Sequence, residues 1–173
     1  LAEKVRRDNI ILVILDSVAP ACGGKPEDAE AAIGYFNALS RLGTTTINIA
    51  HTNRGQDIYK PFGSAFWTNL SRRVWYVQRA GVEGADSQEV GMYCRKANDG
   101  ALPKPRGFAV EFVENGPVFF DHKKFSELDS RLDNLRPAVI RLTDALVPGA
   151  QPIAAIASKL SMKVETCQGW LQR

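Results

Sequence analysis

The sequence predicts an α/β protein: a mixed, mostly parallel sheet flanked by helices and followed by a small all-α module. Three observations carry this. Ile10–Leu15 is a run of six aliphatics, rich in β-branched residues and closed by Asp16-Ser17; a short apolar run of this kind fits a strand buried on both faces of a parallel sheet. A helix-spaced segment and a second β-rich run, Thr44–Ala50, come next, which makes a strand–helix–strand unit with a right-handed crossover. Three further β runs separated by turns then predict an antiparallel extension, so that the whole forms one mixed sheet.

Each element has its own signal. Leu1–Asn9 sets apolar Leu1, Ala2 and Val5 among charges, as in the tail of an amphipathic helix. Val18–Pro26 is a Pro-, Gly- and Ala-rich loop. From Glu27 to Leu42 the apolar positions Ala31, Ile33, Phe36, Leu39 and Leu42 keep helical spacing. Pro26, Glu27 and Asp28 suit its start and Gly43 its stop. Pro61–Arg72 is a helix candidate, and Val74–Gln78, Glu89–Lys96 and Phe108–Val113 are strands. Asn115–Lys124 reads as a connector. Phe125–Leu135 and Pro137–Leu146 follow as helices, and two short helical patterns close the chain. The boundaries expected are a sheet-bearing domain at 1–124 and a helical tail at 125–173, with a helix-turn-helix-like segment at 150–173.

Composition excludes several classes. No stretch approaches the roughly 18 apolar residues of a membrane span, so no membrane partner is expected. The charged start does not read as a signal peptide, and an opening Leu in place of Met is what a fragment or processed chain would show. Cys22, Cys94 and Cys167 are odd in number and far apart, as suits a reducing cytosol, and with His51 and His122 they form no metal-ligand spacing. The net charge is +3, but Arg72, Arg73, Arg79, Arg95, Lys96, Lys104 and Arg106 fall within 35 residues. Such clustering points to a polyanionic partner better than net charge does.

Chemistry is expected at the strand ends. A buried strand ending in Asp presents its carboxylate at the edge of a parallel sheet where nucleotides bind, and there it can hold the water shell of Mg²⁺. Asp16 and Ser17 occupy that position, although many strands end in Asp merely to start a loop. His51 and Asn53 end the neighbouring parallel strand and belong on the same edge. There they could touch a γ-phosphate, or His51 could simply satisfy a loop backbone.

IILVILDS, about thirty residues of helix, and TTTINIAHTNRG together resemble the second half of RecA-like ATPase cores, above all plasmid replicative hexameric helicases and their AAA-type phage relatives. Phe62-Gly63-Ser64-Ala65-Phe66-Trp67, leading to Arg72-Arg73-Val74-Trp75, resembles that family's Gly-Ser-Ser-Ala-Phe helix before an arginine and a strand. Arg95-Lys96-Ala97-Asn98-Asp99-Gly100 resembles its basic turn, with Asn98 where an arginine usually stands. The likeness covers about Ile10–Val113. It implies ATP and Mg²⁺ as cofactors, with Asp16 holding Mg²⁺ through water, and His51 and Asn53 sensing phosphate. It also implies that Arg72, Arg73 and Lys96 act on a neighbouring subunit's nucleotide in a ring or filament. The implied role is a DNA motor or loader of replication or mobile-element biology, in the cytoplasm of a bacterium or encoded by a plasmid or phage.

Two departures bound that expectation. The chain has no G-x-x-x-x-G-K-S/T, and Gly23-Gly24-Lys25-Pro26 follows the Asp strand instead of preceding it. Pro26 also lacks the N–H that would cradle a phosphate. The family's catalytic glutamate lies outside the chain as well, so this polypeptide alone is expected to be inactive. The tail IAAIASKLSMKVETCQGWLQR resembles a helix-turn-helix, with Ala157 at the crossing, Leu160 and Met162 at the turn, Ser161 for the usual glycine, Cys167 for the usual valine, and Trp170-Leu171 as anchors. On that reading Lys163, Thr166, Gln168 and Arg173 face DNA; a packing bundle is the equal alternative. The rival to the motor is a non-catalytic DNA-binding or adaptor module that keeps the ATPase scaffold.

Overall fold

A computed structural model describes residues 1–52, 59–82 and 84–172. Asn53 and Arg173, two of the expected site residues, lie outside them. The chain forms two compact units: Leu1–Tyr76 with Arg95–Leu102, and Val77–Cys94 with Pro103–Arg173.

The first unit opens with helix α1 (Ala2–Arg7) and strand β1 (Leu12–Asp16). A single-turn helix α2 (Val18–Ala21) and the longer α3 (Ala29–Ser40) lead to β2 (Thr45–Ile49), which pairs parallel with β1. Thr44 Oγ1 donates to the Ile10 carbonyl at 2.9 Å and pins the two strand starts together. One face of the pair is half-buried, and on it the Asn48 side-chain carbonyl accepts from the Tyr35 hydroxyl of α3 at 2.7 Å. Burial beneath α3 pushes the Tyr35 phenol above its ordinary pKa. A core of Val18, Cys22, Ala32, Tyr35 and Trp67 forms around the same helix.

The other face of β1 and β2 carries Leu12, Ile14, Asp16, Thr45, Ile47 and Ile49, all exposed. The expectation that the Ile10–Leu15 run is buried on both faces is therefore corrected. Only one helical layer covers the pair among the described residues, so every second aliphatic meets solvent.

The expected single mixed sheet is corrected too. After the single-turn helix α4 (Phe66–Asn69), which is all that forms of the helix expected over 61–72, strands β3 (Arg73–Ala80), β4 (Ser87–Ala97), β5 (Arg106–Phe112) and β6 (Val118–Lys123) make a separate four-stranded sheet in that order. The β4–β5 and β5–β6 pairs are antiparallel. Among the described residues the parallel part is two strands, and no RecA-like core is displayed. β6 falls in the stretch read as a connector. Its lack of alternation hid it, because nearly all of Val118–Lys123 is exposed and no buried face imposes a period of two.

The second unit ends in helices. The helix expected over 125–135 is instead a 3₁₀ turn at Phe125–Glu127 and the single-turn α5 (Ser130–Asp133). Asp129 caps α5, and its pairing with the Arg131 side chain and backbone lowers its pKa to about 2. Helices α6 (Ala138–Leu146), α7 (Ile153–Lys159) and α8 (Val164–Leu171) enclose Leu142, Ala145, Ile156, Ala157, Leu160 and Cys167. Arg141 is buried at their side. It donates to Asp133 (3.1 Å), Asn134 Oδ1 (2.8 Å) and the Leu160 carbonyl (2.6 Å). Arg136 lies over the Phe125 ring and pairs with Asp133 and Asp144.

Candidate functional site

The parallel register sets Asp16 beside Ile49, so both strands finish at the same end. His51, two residues past Ile49, leaves the sheet at the end where Asp16 stands. Both side chains are exposed, and neither has a hydrogen bond or ion pair among the described residues. Ser17, half-buried, follows through a cis peptide bond.

The ground behind this rim is built on the Pro26 carbonyl. It accepts from the Ser64 backbone N–H at 2.9 Å and from the Trp67 indole N–H at 2.7 Å. The Phe62 N–H donates to the His51 carbonyl at 2.7 Å, and Thr52 bridges to Pro61. The loops after both strands are thus tied to the segment leading into α4. That close approach explains Gly63, which has φ +103° and backs onto Pro26 with no room for a side chain. The crevice among Val18, Ala19, Pro26, Ala50, His51, Phe62 and Trp67 is about 30 Å³. It has the volume of a single water and is mostly apolar.

The three basic residues expected to act in trans differ in their engagement. Lys96 donates to the carbonyls of Thr68 (3.0 Å), Asn69 (2.7 Å) and Ser71 (2.8 Å). An ammonium has three protons to give, and here it closes the C-terminal end of α4, where the helix dipole favours a cation. Arg73 pairs with Asp99 at 2.8–3.1 Å, and that guanidinium holds the Asp99 carboxyl below its usual range. Arg72 is exposed and has no ion pair among the described residues; its carbonyl accepts from the Asn98 N–H. No hydrogen bond or ion pair joins Asp16 or His51 to these cations among the described residues. Arg95, beside Lys96, stacks on Tyr59 and Tyr76.

In the tail, α7 and α8 are separated by Leu160–Lys163 and pack through Ala157 and a fully buried Cys167. Ser161 adopts φ +52°, and the Met162 N–H donates to the Ala157 carbonyl. Ala157 at the crossing and a left-handed residue at 161 are where the sequence put them. The anchors are corrected: Trp170 and Leu171 are 41% and 46% exposed, and Val164 and Cys167 hold α8 in their place. Lys163, Thr166 and Gln168 are exposed on it. Ser161→Gly removes the cost of a side chain at positive φ, partly offset by greater freedom of the unfolded chain. We expect about 0.5 kcal/mol of added stability, read as a raised urea midpoint; an unchanged or lowered midpoint would show the turn to be indifferent to backbone handedness.

Two contributors were not anticipated from sequence. The Pro26 carbonyl is a backbone group without a side-chain signal. Asn48 could have been noticed as the lone amide within a β-rich run.

The class that fold and rim define is α/β, with a parallel strand pair presenting an acid and a histidine at one end. Beyond that class, no family model matches the chain, and neither a curated protein nor a solved structure matches it significantly.

Proposed function

We propose that this chain is part of an ATP-dependent DNA motor or loader, contributing the second half of a RecA-like core. One observation carries the reading: β1 and β2 run parallel and deliver Asp16 and His51 to the same end. The bare face of Leu12, Ile14, Ile47 and Ile49 supports it, because parallel sheets are covered on both faces by further elements. On this reading the P-loop and catalytic glutamate come from sequence outside these residues and complete the sheet over that face.

Asp16, with Ser17, would orient Mg²⁺ through water. No group of three or more metal-ligating side chains occurs among the described residues, so water and phosphate oxygens would supply the remaining ligands. ATP with Mg²⁺ supplies the transferable phosphoryl group; the chain's own part is to position it. His51, with Asn53, would contact the γ-phosphate and pass its loss to the His51–Phe62 linkage. Arg72 has the exposure a trans-acting cation needs, Arg73 would reach a neighbour's phosphate on release from Asp99, and Lys96 would hold α4 in place beneath them. Self-association would bring Arg72 to the next subunit's nucleotide.

The test is complementation in the protein that carries this segment. Asp16→Asn and Arg72→Ala should each lower DNA-stimulated ATP hydrolysis by about 10³-fold, the scale of an arginine acting on a transferring phosphate. Mixing the two inactive variants should restore part of the activity, since some interfaces then join an intact Asp16 to an intact Arg72. Full activity of Asp16→Asn would end the nucleotide reading, and failure to complement would end the trans role.

A non-catalytic DNA-binding or adaptor module is the second reading, favoured by the self-contained packing of α6–α8. It expects salt-dependent DNA binding through Lys163, Thr166 and Gln168 that is indifferent to ATP and to Asp16.

A further inference from the structure

We propose that β6 is a self-association edge, on which two copies of this chain join their four-stranded sheets antiparallel about a two-fold axis through Phe120. The proposal does not rest on the nucleotide reading, since every residue it uses lies in the second unit.

The argument begins with which backbone groups are free. The Phe112 N–H donates to the Asp86 carbonyl and the Val113 N–H to the Pro117 carbonyl. In an antiparallel ladder hydrogen-bonded pairs alternate. Phe112, Val110 and Phe108 therefore bond towards β4, and Val113, Glu111, Ala109 and Gly107 towards β6. The β5–β6 register pairs Glu111 with Phe119, Ala109 with Asp121, and Gly107 with Lys123. What remains on β6 is Val118, Phe120 and His122, whose N–H and C=O groups point to the outer edge of the sheet.

Natural edge strands are blunted by short length, charged side chains, bulges, prolines, inward charges or covering elements. β6 carries the Asp121–Lys123 ion pair at its far end, but over Val118–Phe120 it has no charge, proline or cover among the described residues. Phe119 and Phe120 are 54% and 72% exposed, and Val118 lies beside exposed Phe112 on the Phe120 face. A second strand would satisfy the backbone groups and cover apolar area on both faces.

The sequence of β6 suits a copy of itself, and charge helps select the register. Only pairings that match outward residue to outward residue are possible. With Phe120 opposite the partner's Phe120, Val118 meets the partner's His122 and all three outward residues are bonded. Phe119 then lies opposite the partner's Asp121, and the lysine end of each strand approaches the partner's 113–117 turn, which carries Glu114. A shift centred on Asp121 sets two carboxylates directly opposite each other, which is destabilising. A shift centred on Phe119 leaves His122 unpaired.

Single cysteines placed at 118 to 122 in the full chain test the register, because the native Cys22, Cys94 and Cys167 are all buried. In the proposed dimer the Cα atoms of the two facing Phe120 residues lie about 5.5 Å apart, so thiols introduced there are within disulfide reach. Oxidation with diamide, which takes up the two electrons and two protons of the thiol pair, should give covalent dimer most strongly for Phe120→Cys. Sedimentation equilibrium of the unmodified chain should show mass rising towards twice the monomer with concentration. Phe120→Lys should abolish that rise with its far-UV circular dichroism unchanged. Phe120→Pro should do the same, since the N–H it removes has no partner among the described residues. A chain that stays monomeric, a crosslinking maximum at another position, or association that survives both Phe120 variants would overturn the proposal.

Discussion

Replacing Arg141 by methionine is expected to lower the unfolding free energy by about 3 kcal/mol. Methionine keeps most of the stem volume, so the loss reports the guanidinium. That group is buried and joins Asp133 and Asn134, at the end of α5, to the Leu160 carbonyl at the turn after α7. Removing it strands the buried Leu160 carbonyl, at a cost of about 1–3 kcal/mol, whereas the exposed Asn134 amide can turn to water. Asp133 keeps Arg136, which limits the loss. The measurement is a urea melt followed by circular dichroism, with the midpoint lowered and the slope unchanged. A change under about 1 kcal/mol would mean that water replaces the network and that apolar packing alone holds α6–α8 together.

Gly63→Ala should cost a similar amount, about 3 kcal/mol, for a different reason. A left-handed φ penalises any side chain by about 1–3 kcal/mol. At this position the new Cβ also runs into the Pro26 carbonyl, which is backbone and cannot rotate aside. Displacing that carbonyl disturbs the bonds from Ser64 and the Trp67 indole, each worth about 1 kcal/mol. Gly43→Ala is the matched control. It too has positive φ, yet nothing lies within 4 Å of its Cβ position, so it should lose only about 1 kcal/mol. Tryptophan fluorescence in denaturant distinguishes them; equal losses would show that the Pro26 contact contributes nothing.

The two changes also differ in functional reach. Gly63 lies between the two loops that frame Asp16 and His51, so Gly63→Ala should disturb the rim. Arg141 belongs to the other unit and should leave it intact.

Several features were legible in the residues. The aliphatic run ending at Asp16, the helical spacing before Gly43 and the run Thr44–Ala50 specified a parallel strand pair, because periodicity and turn chemistry are local properties of the chain. The same is true of Ala157 and Ser161, where a small crossing residue and a turn position mark themselves by type and spacing. β6 carried a turn signal, Asn115-Gly116 ahead of Val118-Phe119-Phe120, but its residues show no alternation and break into charge at Asp121–Lys124, so the stretch read as a connector.

What the sequence determined by itself, then, is the strand–helix–strand unit of β1, α3 and β2 with the polar residues that end it, the strands β3 to β5, and the helices α6 to α8. Tertiary structure decided how strands are shared between sheets, which aliphatics stay bare, and whether a cation is engaged or exposed. Lys96 and Arg72 look equivalent as letters in a basic stretch, yet three carbonyls surround one ammonium and none is bonded to the other guanidinium among the described residues. The reason is that burial and hydrogen-bond engagement depend on residues distant in sequence, brought near only when the chain closes on itself, and no local pattern records them.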